Sequence, residues 1–304
     1  MNPVTLTPPQ NLQVASQVRF KNILFATDLD TPSAPAQAYA LLLARMFGSH
    51  LVVVHAETGP SLSPRYEQAL MPRGGRCEAS AIAELDEFFR TSKLPFTLIV
   101  EPGELPELLD RVANEREIDL IILGTRGRKG LSHVLLGSTA ENVSRSSSCP
   151  VITVGPQARA GFENSIKTIL YATDFSDESR AALPYAVALA QEFNSRLVVT
   201  NVAPERLAHD RVHVEGYLKN RLKGLAPQSQ YRWCAIEHIV NFGDPARQIL
   251  KTAQEEAADL IVLGLHTSVQ FTSHFPERLA YSIVCDAPCP VMSLLPTLRE
   301  MKMA

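Results

Sequence analysis

The chain has 304 residues, of which 45% are hydrophobic and 20% charged, and this length and composition are typical of two globular domains that each bury a core. The net charge of −3 excludes the strong basic excess of a general nucleic-acid-binding surface, so we expect no nucleic-acid partner. No apolar run approaches the ~20 residues that cross a bilayer, and the five cysteines form no disulfide framework. We therefore expect a cytoplasmic protein with no membrane association.

The chain begins with a polar, proline-containing arm, residues 1–18, that lacks the basic and apolar regions of a signal peptide. After this arm the chain repeats itself. Residues 21–28, KNILFATD, match residues 167–174, KTILYATD, at an offset of 146, whereas the later match of CPV at 149–151 and 289–291 has an offset of 140. The second repeat therefore lacks six residues between its second and third predicted strands, and such a gap belongs in a surface segment.

Within each repeat, short β-rich runs alternate with helical periodicity, which predicts βαβ units around a parallel sheet. We therefore predict an α/β protein of two tandem, doubly wound, five-stranded parallel-sheet domains, over 19–155 and 166–296, with a linker at 156–165 and a tail at 297–304. In the first repeat the predicted strands are 21–27, 51–56, 96–101, 119–124 and 150–155, and the predicted helices are 32–47, 76–92, 104–116 and 138–147. In the second repeat the predicted strands are 167–173, 197–202, 234–240, 259–264 and 290–295.

The last predicted strand of each repeat opens with a proline, Pro150 or Pro290, which suits an edge strand or the first residue of a strand. An apolar edge such as 151–154 favours pairing with another edge. We therefore predict that the two repeats cover each other's last strands and pack as an internal pseudo-dimer. The sequence leaves a further homodimer open.

A glycine-rich motif follows the apolar run 120–123 in the first repeat. It reads Gly124-x2-Gly127-x9-Gly137-Ser138-Thr139, so a buried strand leads into a glycine loop and then into a helix start. Such a segment presents main-chain amides to a phosphate. Its spacing differs from both the P-loop and the dinucleotide-binding glycine motif.

Other polar groups are predicted to lie beside this motif. Arg126 and Lys129 can add charge-assisted contacts to a phosphate. Asp28 ends the first strand and His55-Ala56 ends the second, and in an open parallel sheet ligands bind beyond the carboxyl ends of the strands, where chain order reverses. We therefore expect Asp28 and Ala56 to lie beside the glycine motif.

The motif and the Ala-Thr-Asp end of the first strand resemble the universal stress protein family, and the resemblance covers nearly all of both repeats. It implies an adenine nucleotide alpha hydrolase-like fold and ATP as ligand, with Mg²⁺ or another divalent cation. By the same resemblance, Asp28 would lie beside the ribose, the phosphates or the metal, and Ala56 would bind adenine through its main chain. Gly124 would shape the loop, and the phosphates would be held by Gly127, Gly137, Ser138 and Thr139.

The second repeat has lost the motif. Aligned without gaps, Gly127 becomes Thr267, Gly137 becomes Glu277 and Ser138 becomes Arg278. A carboxylate at the predicted helix start stabilises the helix itself and repels an incoming anion. We therefore predict that the second repeat does not bind ATP in the manner of the family.

Some candidate residues have simpler interpretations. Asp28 aligns with Asp174 of the second repeat, whose nucleotide site is lost. A structural role in the turn after the strand is therefore an alternative for Asp28. His209-x3-His213 has the spacing of metal ligands on a helix, but a solvated helical face is the preferred interpretation because no third ligand is adjacent. Cys289 has a counterpart in the first repeat and is interpreted as a small buried residue before the last strand.

These observations favour an ATP-binding regulatory or stress-response protein that binds one nucleotide in the first repeat, with the second repeat as a structural or docking partner. No residue is assigned a catalytic role, because neither Asp28 nor His133 has an evident orienting group, so ATP hydrolysis is at most slow. One alternative is a ligand-independent interaction scaffold with a vestigial nucleotide site. Another is a different adenylate, such as AMP or a cyclic nucleotide, in the same pocket. The protein partner and any metal ligands stay unknown.

Overall fold

A computed structural model describes residues 18–28, 34–57, 78–125, 149–159, 165–226, 234–265 and 277–295, together with Val143 and Ser147. The chain divides into two compact units, Phe20–Pro156 and a second unit that begins at Gln157. Most of the predicted N-terminal arm, and the C-terminal tail, lie outside the described residues. Among the helices that are described, none combines the length and the apolar character that a membrane span requires.

The first unit alternates strands and helices around a parallel sheet. Its strand order is β3-β2-β1-β4-β5, and each adjacent pair is parallel. The prediction is confirmed to within about two residues at the element ends, although most of the helix predicted at 138–147 lies outside the described residues. The elements are β1 (Asn22–Ala26), α1 (Ala34–Phe47), β2 (His50–Glu57), α2 (Glu78–Thr91), β3 (Phe96–Pro102), α3 (Leu105–Glu115), β4 (Leu120–Gly124) and β5 (Val151–Val154).

The second unit has the same topology, with strand order β8-β7-β6-β9-β10 and parallel neighbours. Between its second and third strands lie 32 residues, against 38 in the first unit, which confirms the position of the six-residue gap. A 3-10 helix, Glu205–Asp210, precedes its second α-helix. The elements are β6 (Thr168–Ala172), α4 (Asp177–Phe193), β7 (Arg196–Ala203), α5 (Arg211–Leu225), β8 (Ile236–Phe242), α6 (Pro245–Glu255), β9 (Leu260–Gly264), α7 (Glu277–Asp286) and β10 (Val291–Leu294).

One strand lies two residues later than predicted. β8 runs over Ile236–Phe242, not 234–240, and Trp233 lies outside the described residues. The pairing of β8 with β7 continues to Phe242, and the next residue is Gly243, whose φ of 124° favours glycine. The glycine turn therefore sets the end of the strand, and the hydrophobic pattern alone does not show this.

Near-continuous apolar strands form the centre of each sheet, and this is typical of parallel sheets that are covered on both faces. Every residue of β4 except Gly124 is buried, as is every residue of β6 and β10. In the first unit Phe25, Phe89 and Phe96 form an aromatic cluster with successive ring centroids 6.3 and 5.7 Å apart. These rings pack α2 against the sheet.

A carboxylate joins the amino ends of the two central strands in each unit. Asp119 Oδ2 accepts hydrogen bonds from the Lys21 N–H at 2.7 Å and the Asn22 N–H at 2.9 Å. Asp259 occupies the same place at the start of β6. The repeated Asp-Leu-Ile of the sequence therefore has a structural role at the edge of the sheet opposite to the predicted ligand site.

We expect Asp259→Ala to lower the free energy of unfolding of the second domain by about 2 kcal/mol, because two main-chain donors lose a charged acceptor. Those donors are the N–H groups of Lys167, at 2.7 Å, and Thr168, at 3.0 Å. Urea unfolding followed by fluorescence measures the effect, since the chain's single tryptophan, Trp233, belongs to the second unit. Asp259→Asn keeps one acceptor oxygen and should cost less. Equal midpoints for wild type and Asp259→Ala would contradict the assignment.

Cys289 precedes β10, is 2% exposed, and confirms the interpretation of a small buried residue before the last strand. Burial raises the pKa of its thiol from about 9 to about 12. In the unfolded chain this thiol ionises above pH 9, whereas in the folded chain it stays protonated until about pH 12. The thiol therefore contributes stability that is fully present below pH 9 and is lost as the pH rises toward 12.

We expect the free energy of unfolding of the wild type to fall relative to that of Cys289→Ala, by up to about 1.4 kcal/mol per pH unit above pH 9. Because both proteins share all other titrating groups, the contributions of those groups to the pH dependence cancel in the difference. Urea unfolding at pH 8.0, 9.5 and 10.5 measures the difference. A difference that stays constant over this range would show that the folded thiol ionises normally.

Candidate functional site

Three of the predicted site residues lie at the carboxyl ends of adjacent strands. Asp28 follows β1, Ala56 is the next-to-last residue of β2, and Gly124 is the last residue of β4. In the register of the sheet, Ala26 is paired with both Val54 and Leu123, so these three strand ends meet at one edge. The chain order reverses between β1 and β4, which is where ligands bind in open parallel sheets. The remaining predicted residues, Arg126, Gly127, Gly137, Ser138 and Thr139, lie outside the described residues.

A buried histidine links two of these strand ends. His55 is 2% exposed, and its Nδ1 donates to the Thr27 carbonyl at 2.9 Å. Because a carbonyl oxygen only accepts, Nδ1 carries the proton of this bond. The sequence placed His55 at the end of β2 without assigning it a role, and only the register of β1 and β2 reveals its partner.

In the second unit, Asp174 starts the turn into α4. Its Oδ1 accepts from the Ser176 N–H at 3.0 Å and from the Ser176 hydroxyl. Ser176 in turn is the N-cap residue of α4, and its hydroxyl oxygen accepts from the Ser179 N–H at 3.1 Å. This is a typical helix start, so a structural role explains why Asp174 is retained. The corresponding turn of the first unit, residues 29–33, lies outside the described residues.

An aromatic residue in a strained conformation follows Asp174. Phe175 has a φ of 66°, which is rare for a bulky residue. Its N–H donates to Thr173 Oγ1 at 3.0 Å, and the Arg221 guanidinium lies 3.9 Å from the centroid of its ring. This cation–π contact holds a side chain of α5 against the turn that follows β6. No feature of the sequence indicated it.

The glycines that end β4 and β9 have different surroundings. A Cβ on Gly264 would lie 2.2 Å from the Glu178 carbonyl oxygen and 2.6 Å from the Ser179 Cα. The first turn of α4 therefore packs directly on the main chain of Gly264. For a Cβ on Gly124, the nearest atom in the described part of the chain is the Ala36 Cβ, at 4.0 Å, which is an ordinary contact.

The last three positions of the replaced motif, 277–279, lie in an α-helix of the second repeat. α7 begins at Glu277, the counterpart of Gly137, so an acidic residue stands where the motif has its third glycine. Leu279, the counterpart of Thr139, is 8% exposed and belongs to the core. A hydroxyl that could donate to a phosphate is thus replaced by a packed apolar side chain.

The two histidines with metal-ligand spacing lie on different helices. His209 is in the 3-10 helix, and its Nδ1 donates to the Arg206 carbonyl at 2.8 Å. His213 is on α5, and its Nδ1 contacts Asp210 Oδ1 at 2.6 Å. Both histidines are exposed, which confirms that they belong to a solvated surface. They do lie on two consecutive helices, not on the single helix that the spacing suggested.

A model of the universal stress protein family matches residues 19–155 and again residues 165–294. A universal stress protein of Thermus aquaticus is 32% identical over 138 residues, which cover 44% of this chain and 98% of the relative. A universal stress protein of Mycolicibacterium smegmatis is 26% identical over 190 residues, which cover 60% of this chain and 63% of the relative.

Two solved structures share the fold over nearly the whole chain. A universal stress protein from Archaeoglobus fulgidus has a TM-score of 0.63 at 17% identity and covers 92% of this chain and 100% of its own. A protein of unknown function from Pseudomonas aeruginosa has a TM-score of 0.64 at 17% identity and covers 96% of this chain and 97% of its own. At this level of identity the likeness concerns the fold alone.

Proposed function

The chain belongs to the universal stress protein family, with two copies of the family's domain in tandem, and from this premise we propose that it is a regulatory stress-response protein that binds one ATP in its first domain. The observation that carries the proposal is the meeting of Asp28, Ala56 and Gly124 at the carboxyl edge of three adjacent strands. The glycine motif continues directly from Gly124. A polyanionic ligand at this edge would lie beside both the loop and the ends of β1 and β2.

Each part of the first domain has a proposed role toward the nucleotide. Ala56 binds the base through its main chain, and Asp28 lies beside the ribose, the phosphates or a divalent cation such as Mg²⁺, for which a carboxylate oxygen is a preferred ligand. The phosphates are held by main-chain amides and hydroxyls at a helix start and by a guanidinium. The residues that supply these groups are Arg126, Gly127, Gly137, Ser138 and Thr139, with Gly124 shaping the loop.

The second domain is proposed to act as a structural or docking partner without ATP. Two features of the second domain support this proposal. The Arg221 guanidinium lies over the ring of Phe175, which follows β6, and an acidic residue begins α7 in place of the third motif glycine. The internal pseudo-dimer through the last strands, and a further homodimer, stay predictions.

Native mass spectrometry of freshly purified protein tests the proposal. We expect one adenine nucleotide per chain, and we expect ATP to compete better than AMP or cyclic AMP when magnesium is present, because its triphosphate offers more anionic oxygens to main-chain amides and a divalent cation. Absence of binding by any adenine nucleotide at micromolar concentration would favour the interaction scaffold with a vestigial site. Stronger binding of AMP or a cyclic nucleotide would identify a different adenylate as the ligand.

A further inference from the structure

Helix α5 of the second domain buries little of its surface. Of its 15 residues, only Leu222 is buried. Val212 and Tyr217 are 81% and 63% exposed, which is more than any other large hydrophobic residue in the described part of the chain. Isolated exposed hydrophobic residues are common on protein surfaces, but these two lie within two turns of one helix. α5 therefore presents an apolar surface that the described residues of its own domain leave uncovered.

A glycine lies between these two residues. Gly216 is exposed, and nothing in the described part of the chain lies within 4 Å of a Cβ built on it. Packing inside the domain therefore does not require glycine here, although glycine is among the least favourable residues in a helix interior. A position without a side chain lets the main chain of a neighbouring molecule approach the helix closely. The α5 face consists of the exposed residues on this side of the helix, Val212, His213, Gly216, Tyr217, Asn220 and Lys223.

α5 is also basic. It contains four basic residues and one acidic residue, a net charge of +3, whereas the whole chain carries −3. Two of the basic residues lie against aromatic rings. The Arg221 guanidinium is 3.9 Å from the centroid of Phe175, and the Arg211 guanidinium is 4.8 Å from the centroid of Phe242. Because stacking fixes the plane of a guanidinium and leaves its N–H edge able to bind a carboxylate, an acidic surface complements α5.

The first domain carries a surface of the opposite charge. Residues 101–117, from the end of β3 through α3, contain six acidic and two basic residues, a net charge of −4. The apolar side of α3 is buried through Leu108, Leu109 and Val112. The acidic face consists of the exposed acidic residues of this segment, Glu104, Glu107, Asp110, Glu115 and Glu117. One chain therefore contains both an exposed basic helix and an exposed acidic helix.

We propose that α5 of one copy of this chain binds the acidic face of the first domain of a second copy. The two surfaces have net charges of +3 and −4, and opposite charges across an interface select the partner and fix its register. Both surfaces are exposed on the chain itself, so another molecule must cover them. The exposed Tyr217 supplies an aromatic side chain of the kind that contributes most to binding at interfaces.

This contact differs from the predicted pairing of the last strands, and it does not depend on a nucleotide. Because it joins two unlike surfaces, two reciprocal contacts close a dimer, whereas single contacts extend into a longer assembly. Both arrangements raise the mass of the particle in solution. Both also weaken as salt is added, since exposed charges are screened.

Sedimentation velocity of the full-length chain tests the proposal. At about 100 μM protein and about 50 mM salt we expect assemblies heavier than the monomer, and at about 0.5 M salt the dissociation constant should rise at least about tenfold. Tyr217→Ala removes an exposed side chain, so this variant should fold, and its dissociation constant at low salt should be about tenfold higher. A chain that stays monomeric at low salt overturns the proposal and leaves α5 to an acidic partner of another kind.

Charge reversal identifies the two surfaces. Lys219→Glu with Lys223→Glu on α5, and Glu107→Lys with Asp110→Lys on α3, should each weaken self-association at least about tenfold, because each pair of substitutions places like charges across the contact. An equimolar mixture of the two variants should associate again, since each reversed surface then meets the opposite charge on the other variant. Circular dichroism checks that both variants fold.

A matched control uses α6 of the same domain. Arg247 and Lys251 are exposed on α6 with the same spacing, so Arg247→Glu with Lys251→Glu changes the net charge equally and should leave self-association as in wild type. Equal weakening by this control would overturn the proposal, because the chain would then respond to net charge alone. Self-association that neither the α5 nor the α3 substitutions change would overturn it as well and would assign the contact to the last strands.

Discussion

Gly137→Glu is expected to weaken ATP binding by at least about a hundredfold, since two unit charges ~4 Å apart repel by about 4 kcal/mol at an effective dielectric near 20. The substitution gives the first domain the residue that the second domain carries at Glu277, where α7 begins. A carboxylate at a helix start is stabilised by the same main-chain amides that would bind a phosphate. It therefore competes with the ligand for these donors as well as repelling it.

Two variants separate charge from size in this prediction. Gly137→Gln adds a side chain of the same length without charge, so a much smaller loss than for Gly137→Glu shows that electrostatic repulsion dominates. Glu277→Gln changes the second domain alone and should leave the ATP affinity unchanged. Calorimetric titration measures all three affinities. Equal ATP affinities for Gly137→Glu and wild type would place the phosphate site elsewhere.

Gly264→Ala is expected to lower the free energy of unfolding of the second domain by about 3 kcal/mol or more, as an overpacked contact that cannot relax. The added Cβ would lie 2.2 Å from the Glu178 carbonyl oxygen. This main chain cannot easily move, because the buried Tyr171 hydroxyl donates to the Ser179 carbonyl at 2.7 Å and Ser176 caps the helix. Either the first turn of α4 or the end of β9 must shift.

The equivalent substitution in the first domain provides the matched control. Gly124→Ala places its Cβ 4.0 Å from the nearest described atom, on Ala36, so its stability should stay within about 0.5 kcal/mol of wild type. Urea unfolding reports on the second domain through Trp233, and thermal unfolding reports on both domains. Equal midpoints for Gly264→Ala and wild type would mean that α4 does not pack on Gly264 as closely as described.

Much of the site could be predicted from the sequence, because glycines after an apolar run and polar residues at strand ends have few structural explanations. The glycine motif and its loss at Glu277 are visible in the aligned repeats. The position of Asp28 and Ala56 at one edge follows from parallel strands alone, since the carboxyl ends of such strands meet. The hydrogen bond of His55 could not be predicted, because its acceptor, the Thr27 carbonyl, is 28 positions away in the sequence. Only the register of β1 against β2 brings the two groups together.

The sequence by itself determined the tandem α/β organisation. Hydrophobic periodicity and glycine turns are read from neighbouring residues, and the internal repeat is read by aligning the chain with itself, so none of them requires coordinates. It also determined which repeat keeps the residues for a phosphate. Only the tertiary structure decided which polar residues serve the fold. Asp119 and Asp259 bond across the amino edge of each sheet, Phe175 is held under Arg221, and Gly264 accommodates a helix. Each of these roles depends on distances between segments far apart in the chain, which no local pattern encodes.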